Sequence, residues 1–175
     1  MYLQTVKQGS GKIVNLDMDK ALYFSFVPGN RVKYIVVAET KYGKHNIVPS
    51  NSLEDVVRVI EAMRKRYHTP PLRTLCGPFY KKDKDGNLNE FRSRYSKIDE
   101  TWEYNIMFSS EGYMIIAEDK NGDEICGISF FRDLSEAIYM MCLLRAQADA
   151  DFQEFSSETV IEMAKRTARE LHAEI

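Results

Sequence analysis

The chain has 175 residues, of which 44% are hydrophobic and 29% are charged, and its formal net charge is -2. This length and composition are typical of a globular protein and are sufficient for one domain with its own core. The sequence contains no apolar window of about 18 residues and no signal-peptide pattern at its N-terminus, so we expect a cytoplasmic protein without a membrane segment.

The first predicted element is a short edge hairpin. Residues 2–6 and 12–16 each have the composition of a strand, and Gly9 and Gly11 lie between them. Glycine tolerates the backbone angles that a tight turn requires. We therefore expect two short antiparallel strands at the start of the chain.

An internal repeat follows. Residues 34–43 (YIVVAETKYG) nearly match residues 113–122 (YMIIAEDKNG) at an offset of 79. A run rich in aromatic and β-branched residues precedes each copy, at residues 21–27 and 102–108, and predicts a strand. The Asn121-Gly122 pair is a strong hairpin signal. Each copy is thus predicted to begin with three antiparallel strands.

A capped helix is predicted after each set of strands. Ser52 and Asp133 open apolar-periodic runs, with the offset now 81, and their side-chain oxygens can accept from the free amide three residues later. The apolar faces then coincide at helical spacing. Their members are Val56, Val59, Ile60 and Met63 in the first copy and Ala137, Met140, Met141 and Leu144 in the second.

These patterns predict an α+β protein of duplicated strand-strand-strand-helix units, with antiparallel sheets covered by helices. Because one such unit would be marginally stable alone, we expect both to share a core in a single domain, 1–175. The expected boundaries are 21–67 for the first unit, 68–100 for an inserted basic hairpin, 102–148 for the second unit and 156–172 for a last helix. Separate halves joined by a linker remain an alternative.

The last helix is predicted from a serine cap at residue 156 or 157. Its narrow apolar stripe contains Val160, Met163, Ala164 and Leu171. Such a stripe favours packing on the body of the protein, with docking of a partner as the alternative.

The segment between the repeats has a distinct charge. Residues 64–97 contain ten basic and three acidic side chains, a net charge of +7, so that the remainder carries -9. Aromatic residues are interspersed among these charges. Cations with interleaved aromatics suit phosphate contacts and base stacking. The predicted partner-binding residues are Arg64, Arg66, Tyr80, Lys81, Lys82, Arg92, Arg94 and Tyr95.

A structural interpretation of the same segment stays open. Asp85-Gly86 marks the tip of a hairpin, and exposed hairpins often carry lysines that keep them soluble and block edge pairing. If the segment binds, its charge specifies an anionic macromolecule, which is either a nucleic acid or an acidic protein surface.

Catalytic and metal-binding patterns are weak in this sequence. Three cysteines without CxxC spacing argue against a disulfide framework and a zinc site, and the three histidines lack metal-ligand spacing. We predict no metal site, cofactor or catalytic residue. His68 and Cys76 are the Cys/His pair closest in sequence, so an enzyme that uses them is retained as an alternative.

The sequence therefore favours a non-enzymatic binding protein that engages a nucleic acid, or a protein that handles nucleic acids, through residues 64–97. The repeated pattern of Tyr, Ala and Gly followed by a capped helix resembles many small bacterial and phage proteins. This resemblance implies a stoichiometric inhibitor of the phage or mobile-element type and assigns no residue roles. A protein-protein adaptor that uses an acidic face or the last helix is the alternative.

Overall fold

A computed structural model describes the backbone of residues 3–7 and 13–173 and the side chains of residues 17–173. The described chain begins with strands β1 (Leu3–Lys7) and β2 (Ile13–Asp17), which pair antiparallel as expected, and a short 3-10 helix follows at Met18–Lys20. The predicted turn between these strands, residues 8–12, lies outside the described residues.

A three-stranded sheet and a helix come next. Strands β3 (Tyr23–Pro28), β4 (Tyr34–Thr40) and β5 (Gly43–Ser50) form an antiparallel sheet in chain order, and α1 (Leu53–Arg66) follows. The helix begins as predicted, because Ser52 Oγ accepts from the Asp55 amide at 3.1 Å. We call this sheet and helix the first unit.

The intervening segment forms four short strands. Strand β6 (Thr74–Leu75) pairs with β9 (Ser96–Lys97), and β7 (Phe79–Lys82) pairs with β8 (Leu88–Arg92). The Asp83 carboxylate holds the β7–β8 turn by accepting from the amides of Asp85 and Asn87, both at 2.9 Å. We call β7 and β8, with the turn between them, the hairpin.

The second unit consists of β10 (Glu103–Phe108), β11 (Tyr113–Glu118), β12 (Glu124–Phe131) and α2 (Leu134–Asp149). Strand β12 also pairs with β7, so the hairpin extends this sheet to five strands in the order β10-β11-β12-β7-β8. The hairpin is thus a part of the second sheet. Asp133 caps α2 by accepting from the Ser135 amide, two residues later, where three were expected.

The two units have the same order of elements and the same irregularity. The β4–β5 register shifts between Val36 and Val37, and the β11–β12 register shifts between Ile115 and Ile116. These two positions differ by 79 residues, the offset of the sequence repeat. A bulge bends and twists its strand, so both sheets change direction at corresponding points.

Helix α2 is buried around its whole circumference along residues 137–144. The four residues of its predicted apolar face are buried, and so are Ile138, Tyr139, Cys142 and Leu143. The predicted stripe was too narrow because α2 packs against β3 of the first sheet, the second sheet and α3 (Ser157–Glu170). The buried hydrophobic cluster accordingly contains residues of both units.

Helix α3 covers α1 and α2, and its predicted cap is present at Ser156. Val160 and Ala164 of its predicted stripe are buried, whereas Met163 is only partly buried. Leu171 is 39% exposed, because the helix ends before it and His172 takes a φ of +54°. The prediction that Leu171 packs inward was therefore wrong.

Candidate binding surfaces

Arg64 is a structural residue, which corrects the prediction that it is a surface charge contact. Its side chain is fully buried, and Nη2 donates to the carbonyl oxygens of Thr69, Pro70 and Ala150 at 3.3, 3.3 and 2.9 Å. The guanidinium also lies 4.9 Å from the ring centroid of Phe155. Burial lowers the pKa of Arg64 to about 10, which still leaves it charged at neutral pH.

Arg66 is exposed but belongs to a different part of the surface. It is the last residue of α1, which packs on the first sheet and on α3, and its guanidinium lies 5.3 Å from the Tyr67 ring. The remaining predicted residues lie on the hairpin or just after it. The structure therefore groups Arg66 with α1 rather than with the hairpin.

Tyr95 is hydrogen-bonded to a buried residue of the first unit. Its hydroxyl donates to Glu39 Oε1 at 3.1 Å, and Glu39 is only 1% exposed. Burial raises the pKa of Tyr95, and its hydrogen bond with Cys76 and the nearby Glu39 carboxylate raise it further. Tyr95 thus joins the inserted segment to the first sheet through its hydroxyl group.

The two faces of the hairpin carry different side chains. Tyr80 lies directly opposite Glu90, and Lys82 lies opposite Leu88, while a bulge interrupts the register between Phe79 and Tyr80. Directly opposed residues share a face, so these two pairs occupy one side of the hairpin. Lys81, Phe91 and Arg92 group on the other side, as the contacts around the Phe91 ring show.

We call this second side the cationic face and define it by Lys81, Phe91, Arg92 and the exposed Arg94. The Phe91 ring is 40% exposed and lies between two cations, with Lys81 Nζ 5.8 Å and Arg92 Cζ 5.1 Å from its centroid. Arg92 is also hydrogen-bonded to Ser96 Oγ. Helix α2 packs on β10, β11 and β12 of this sheet, and the four residues of the cationic face are exposed.

Phe91 was not among the predicted site residues. Strand alternation alone does not assign it to a face, because the bulge displaces one residue of β8 from the pairing. One feature of the sequence could have identified Phe91, because it is an aromatic residue next to Arg92 on a predicted hairpin.

The opposite surface of the five-stranded sheet is apolar, and we call it the outer face. It contains a depression of about 430 Å³ lined by Tyr80, Leu88, Met107, Met114, Ile116 and Phe130, among others. Leu88, Met107 and Phe130 are between 42% and 44% exposed. Exposed apolar surface around a depression is a common property of interaction sites.

A row of carboxylates crosses the outer face. Register places Glu103, Glu118, Ile125, Tyr80 and Glu90 directly opposite one another across the five strands. Because Ile125 and Tyr80 line the depression, the three glutamates lie on the same side of the sheet. We call these three glutamates the acidic row.

The structure places the two residues of the Cys/His alternative in different surroundings. The His68 ring stacks on Phe152 with a centroid separation of 4.5 Å, whereas Cys76 lies beside Tyr95. A Cys-His pair requires hydrogen-bond reach and a third, orienting group. The geometry therefore gives no support to catalysis by these two residues.

Comparison with protein-family models, curated proteins and solved structures finds no match to this chain. Among the described residues, no helix has the length and apolar character needed to cross a membrane.

Proposed function

We propose that this chain is a non-enzymatic binding protein that engages single-stranded nucleic acid through the cationic face of the hairpin. The observation that carries the proposal is the exposed Phe91 ring between Lys81 and Arg92. Bases of any sequence can stack on such a ring, while neighbouring cations contact the phosphates. The surface combines both contacts within one strand pair.

Charge accounts for the preference for an anionic partner. Arg94 adds a third exposed cation close to Arg92 in the chain, and Lys81 and Arg92 already flank the ring. The carboxylate of Asp83 accepts hydrogen bonds from two backbone amides of the hairpin turn. An acidic protein surface is the competing anionic partner, and the binding experiment separates the two.

Fluorescence anisotropy with a labelled oligothymidylate tests the proposal directly. Three cations on single-stranded nucleic acid predict a salt slope of about -2, so affinity should fall roughly 20-fold between about 50 and about 200 mM salt. The triple variant Lys81→Glu/Arg92→Glu/Arg94→Glu should abolish binding. Phe91→Ala should weaken it roughly tenfold, because base stacking contributes about 1–3 kcal/mol per base.

A matched variant controls for net charge. Lys20, Arg31 and Lys33 are exposed and lie outside the hairpin, so their reversal changes the total charge equally and should leave oligonucleotide binding in place. Equal loss in both triple variants would contradict a localised site. Binding by the wild type to polyglutamate but not to the oligonucleotide would assign the face to an acidic protein.

We also infer that the two units are copies of one strand-strand-strand-helix ancestor, with the basic hairpin as an insertion in a single domain. The equal order of elements and the bulges at an offset of 79 support this origin. The shared hydrophobic cluster supports one cooperative domain. Calorimetry should then show one transition with equal calorimetric and van't Hoff enthalpies.

We place the protein in the cytoplasm. All three of its cysteines, Cys76, Cys126 and Cys142, are free thiols. Free thiols suit a reducing compartment. Export to an oxidising compartment in cells, shown by fractionation, would contradict this placement.

A further inference from the structure

The outer face has the properties of a second, independent binding surface. It lies on the side of the five-stranded sheet away from α2, and Met107 and Phe130 each expose more than two fifths of their surface. Met107 lies opposite Met114, and Met114 lies opposite Phe130. Flexible methionine side chains adapt to different partner shapes, which makes such surfaces suited to apolar helices.

We propose that the outer face docks an amphipathic segment of a partner protein, one whose apolar side chains are flanked by lysine or arginine. The depression of about 430 Å³ receives the apolar side chains, and the acidic row contacts the cations. A partner helix that lays one apolar stripe into a groove is a common mode of peptide recognition.

The acidic row determines the charge expected of the partner segment that docks on the outer face. Glu103 and Glu118 are directly opposed on neighbouring strands, an arrangement that destabilises a sheet when both are charged. No ion pair within residues 17–173 neutralises Glu90, Glu103 or Glu118. A cationic partner relieves this repulsion. Lys82, which register places at the hairpin end of the same face, repels cations, so the cations of the partner should lie at the Glu103–Glu118 end of the row.

The same charges disfavour other occupants. Phosphates of a nucleic acid would be repelled by the acidic row, and Lys81, Arg92 and Arg94 of the cationic face lie away from it, which leaves Lys82 against three carboxylates. A second copy of this chain, joined by a two-fold axis through the outer face, would set one acidic row against another. An amphipathic cationic segment of a different protein is complementary to both the apolar depression and the acidic row.

A model peptide tests this proposal with the full-length chain. The probe is a fluorescein-labelled peptide of leucine and lysine arranged in helical periodicity, and binding is measured by anisotropy. We expect saturable binding that weakens as salt rises. A peptide with glutamate in place of lysine, and a peptide of the same composition without the periodicity, should each bind at least tenfold more weakly.

Variants locate the peptide on the sheet. Glu90→Gln/Glu118→Gln removes two rim charges at nearly constant shape and should weaken peptide binding about fivefold to tenfold. Met107→Lys places a cation at the exposed edge of the depression and should weaken it at least tenfold. Circular dichroism and unfolding curves of both variants establish that they fold.

The cationic-face triple variant is the matched control. Lys81→Glu/Arg92→Glu/Arg94→Glu should lose the oligonucleotide and retain the peptide. Glu90→Gln/Glu118→Gln should retain the oligonucleotide and bind the peptide about fivefold to tenfold more weakly. Equal peptide affinity in wild type and Glu90→Gln/Glu118→Gln would overturn the proposal, as would equal affinity for the glutamate peptide. Sedimentation that shows a dimer in the wild type and a monomer in Met107→Lys would overturn it in favour of a second copy.

Discussion

Tyr95 and Glu39 connect the inserted segment to the first sheet through a hydrogen bond of 3.1 Å between Tyr95 Oη and Glu39 Oε1. Glu39 lies on β4 and is buried, and its Oε2 has no hydrogen-bond partner among the described residues. A buried carboxylate that loses its donor bears the full cost of its desolvation. This contact therefore contributes to the position of the strands that follow Tyr95 and of the hairpin that precedes it.

Tyr95→Phe should destabilise the protein by about 1–3 kcal/mol, because it removes the donor and leaves the Glu39 carboxylate unpaired. Urea unfolding followed by circular dichroism measures the change. Tyr42→Phe is the matched control, since Tyr42 is 72% exposed and its substitution should have little effect. Equal stability of Tyr95→Phe and the wild type would show that the hydrogen bond contributes nothing.

Glu39 should also make stability depend on pH. Burial raises its pKa above the ordinary value of 4.5, although Lys44 and the bond from Tyr95 oppose the shift. The folded protein thus retains this proton to a higher pH than the unfolded chain does. The contribution of Glu39 to the free energy of unfolding is complete below pH 4.5, and it is lost as the pH rises through the raised pKa of Glu39.

The measurement for Glu39 compares the wild type with Glu39→Gln in urea between pH 4.5 and about 7. We expect the stability of the wild type relative to Glu39→Gln to fall across this window. Glu111→Gln, at an exposed position, should show a constant difference from the wild type. A constant difference for Glu39→Gln as well would refute the assigned shift.

Arg64→Met should destabilise the protein by about 3 kcal/mol, because it leaves the carbonyl groups of Thr69, Pro70 and Ala150 without their charged donor. The exposed control Arg66→Met should change stability by less than about 0.5 kcal/mol. Oligonucleotide affinity should be the same for both variants at temperatures where they are folded. Loss of oligonucleotide affinity in folded Arg64→Met would show that Arg64 contributes to binding.

Local signals explain what the sequence predicts correctly. The cap at Ser52 requires an amide only three residues away, and the Asn121-Gly122 turn requires a residue that tolerates positive φ, which is +71° at Gly122. Strand alternation and helical periodicity are equally local. These signals predict the elements of both units and the hairpin turn.

Long-range contacts explain what the sequence does not predict. The Arg64 acceptors include Ala150, which is 86 residues away, and Tyr95 finds Glu39 at a separation of 56. A cation after an apolar stripe has the same sequence signature whether it is solvated or buried. The pairing of β12 with β7 similarly depends on which strand edge remains open, and it determines that the outer face is wide enough to hold a depression.

Gln147 is the last residue whose role emerges only from the fold. Its side chain on α2 pairs with the backbone of Phe24, with Oε1 accepting from the amide at 2.8 Å and Nε2 donating to the carbonyl at 2.7 Å. Phe24 lies on β3, an edge strand of the first sheet, so Gln147 satisfies groups that a neighbouring strand would otherwise bind.

Gln147→Leu should therefore destabilise the protein by about 2–5 kcal/mol, because it leaves a buried N–H and a buried C=O without partners. The amide of Phe24 should lose much of its protection in hydrogen exchange, even where the protein remains folded. Gln153→Leu is the control, since Gln153 is exposed and its side chain makes no hydrogen bond within residues 17–173. Unchanged protection at Phe24 in folded Gln147→Leu would show that this side chain does not close the edge of β3.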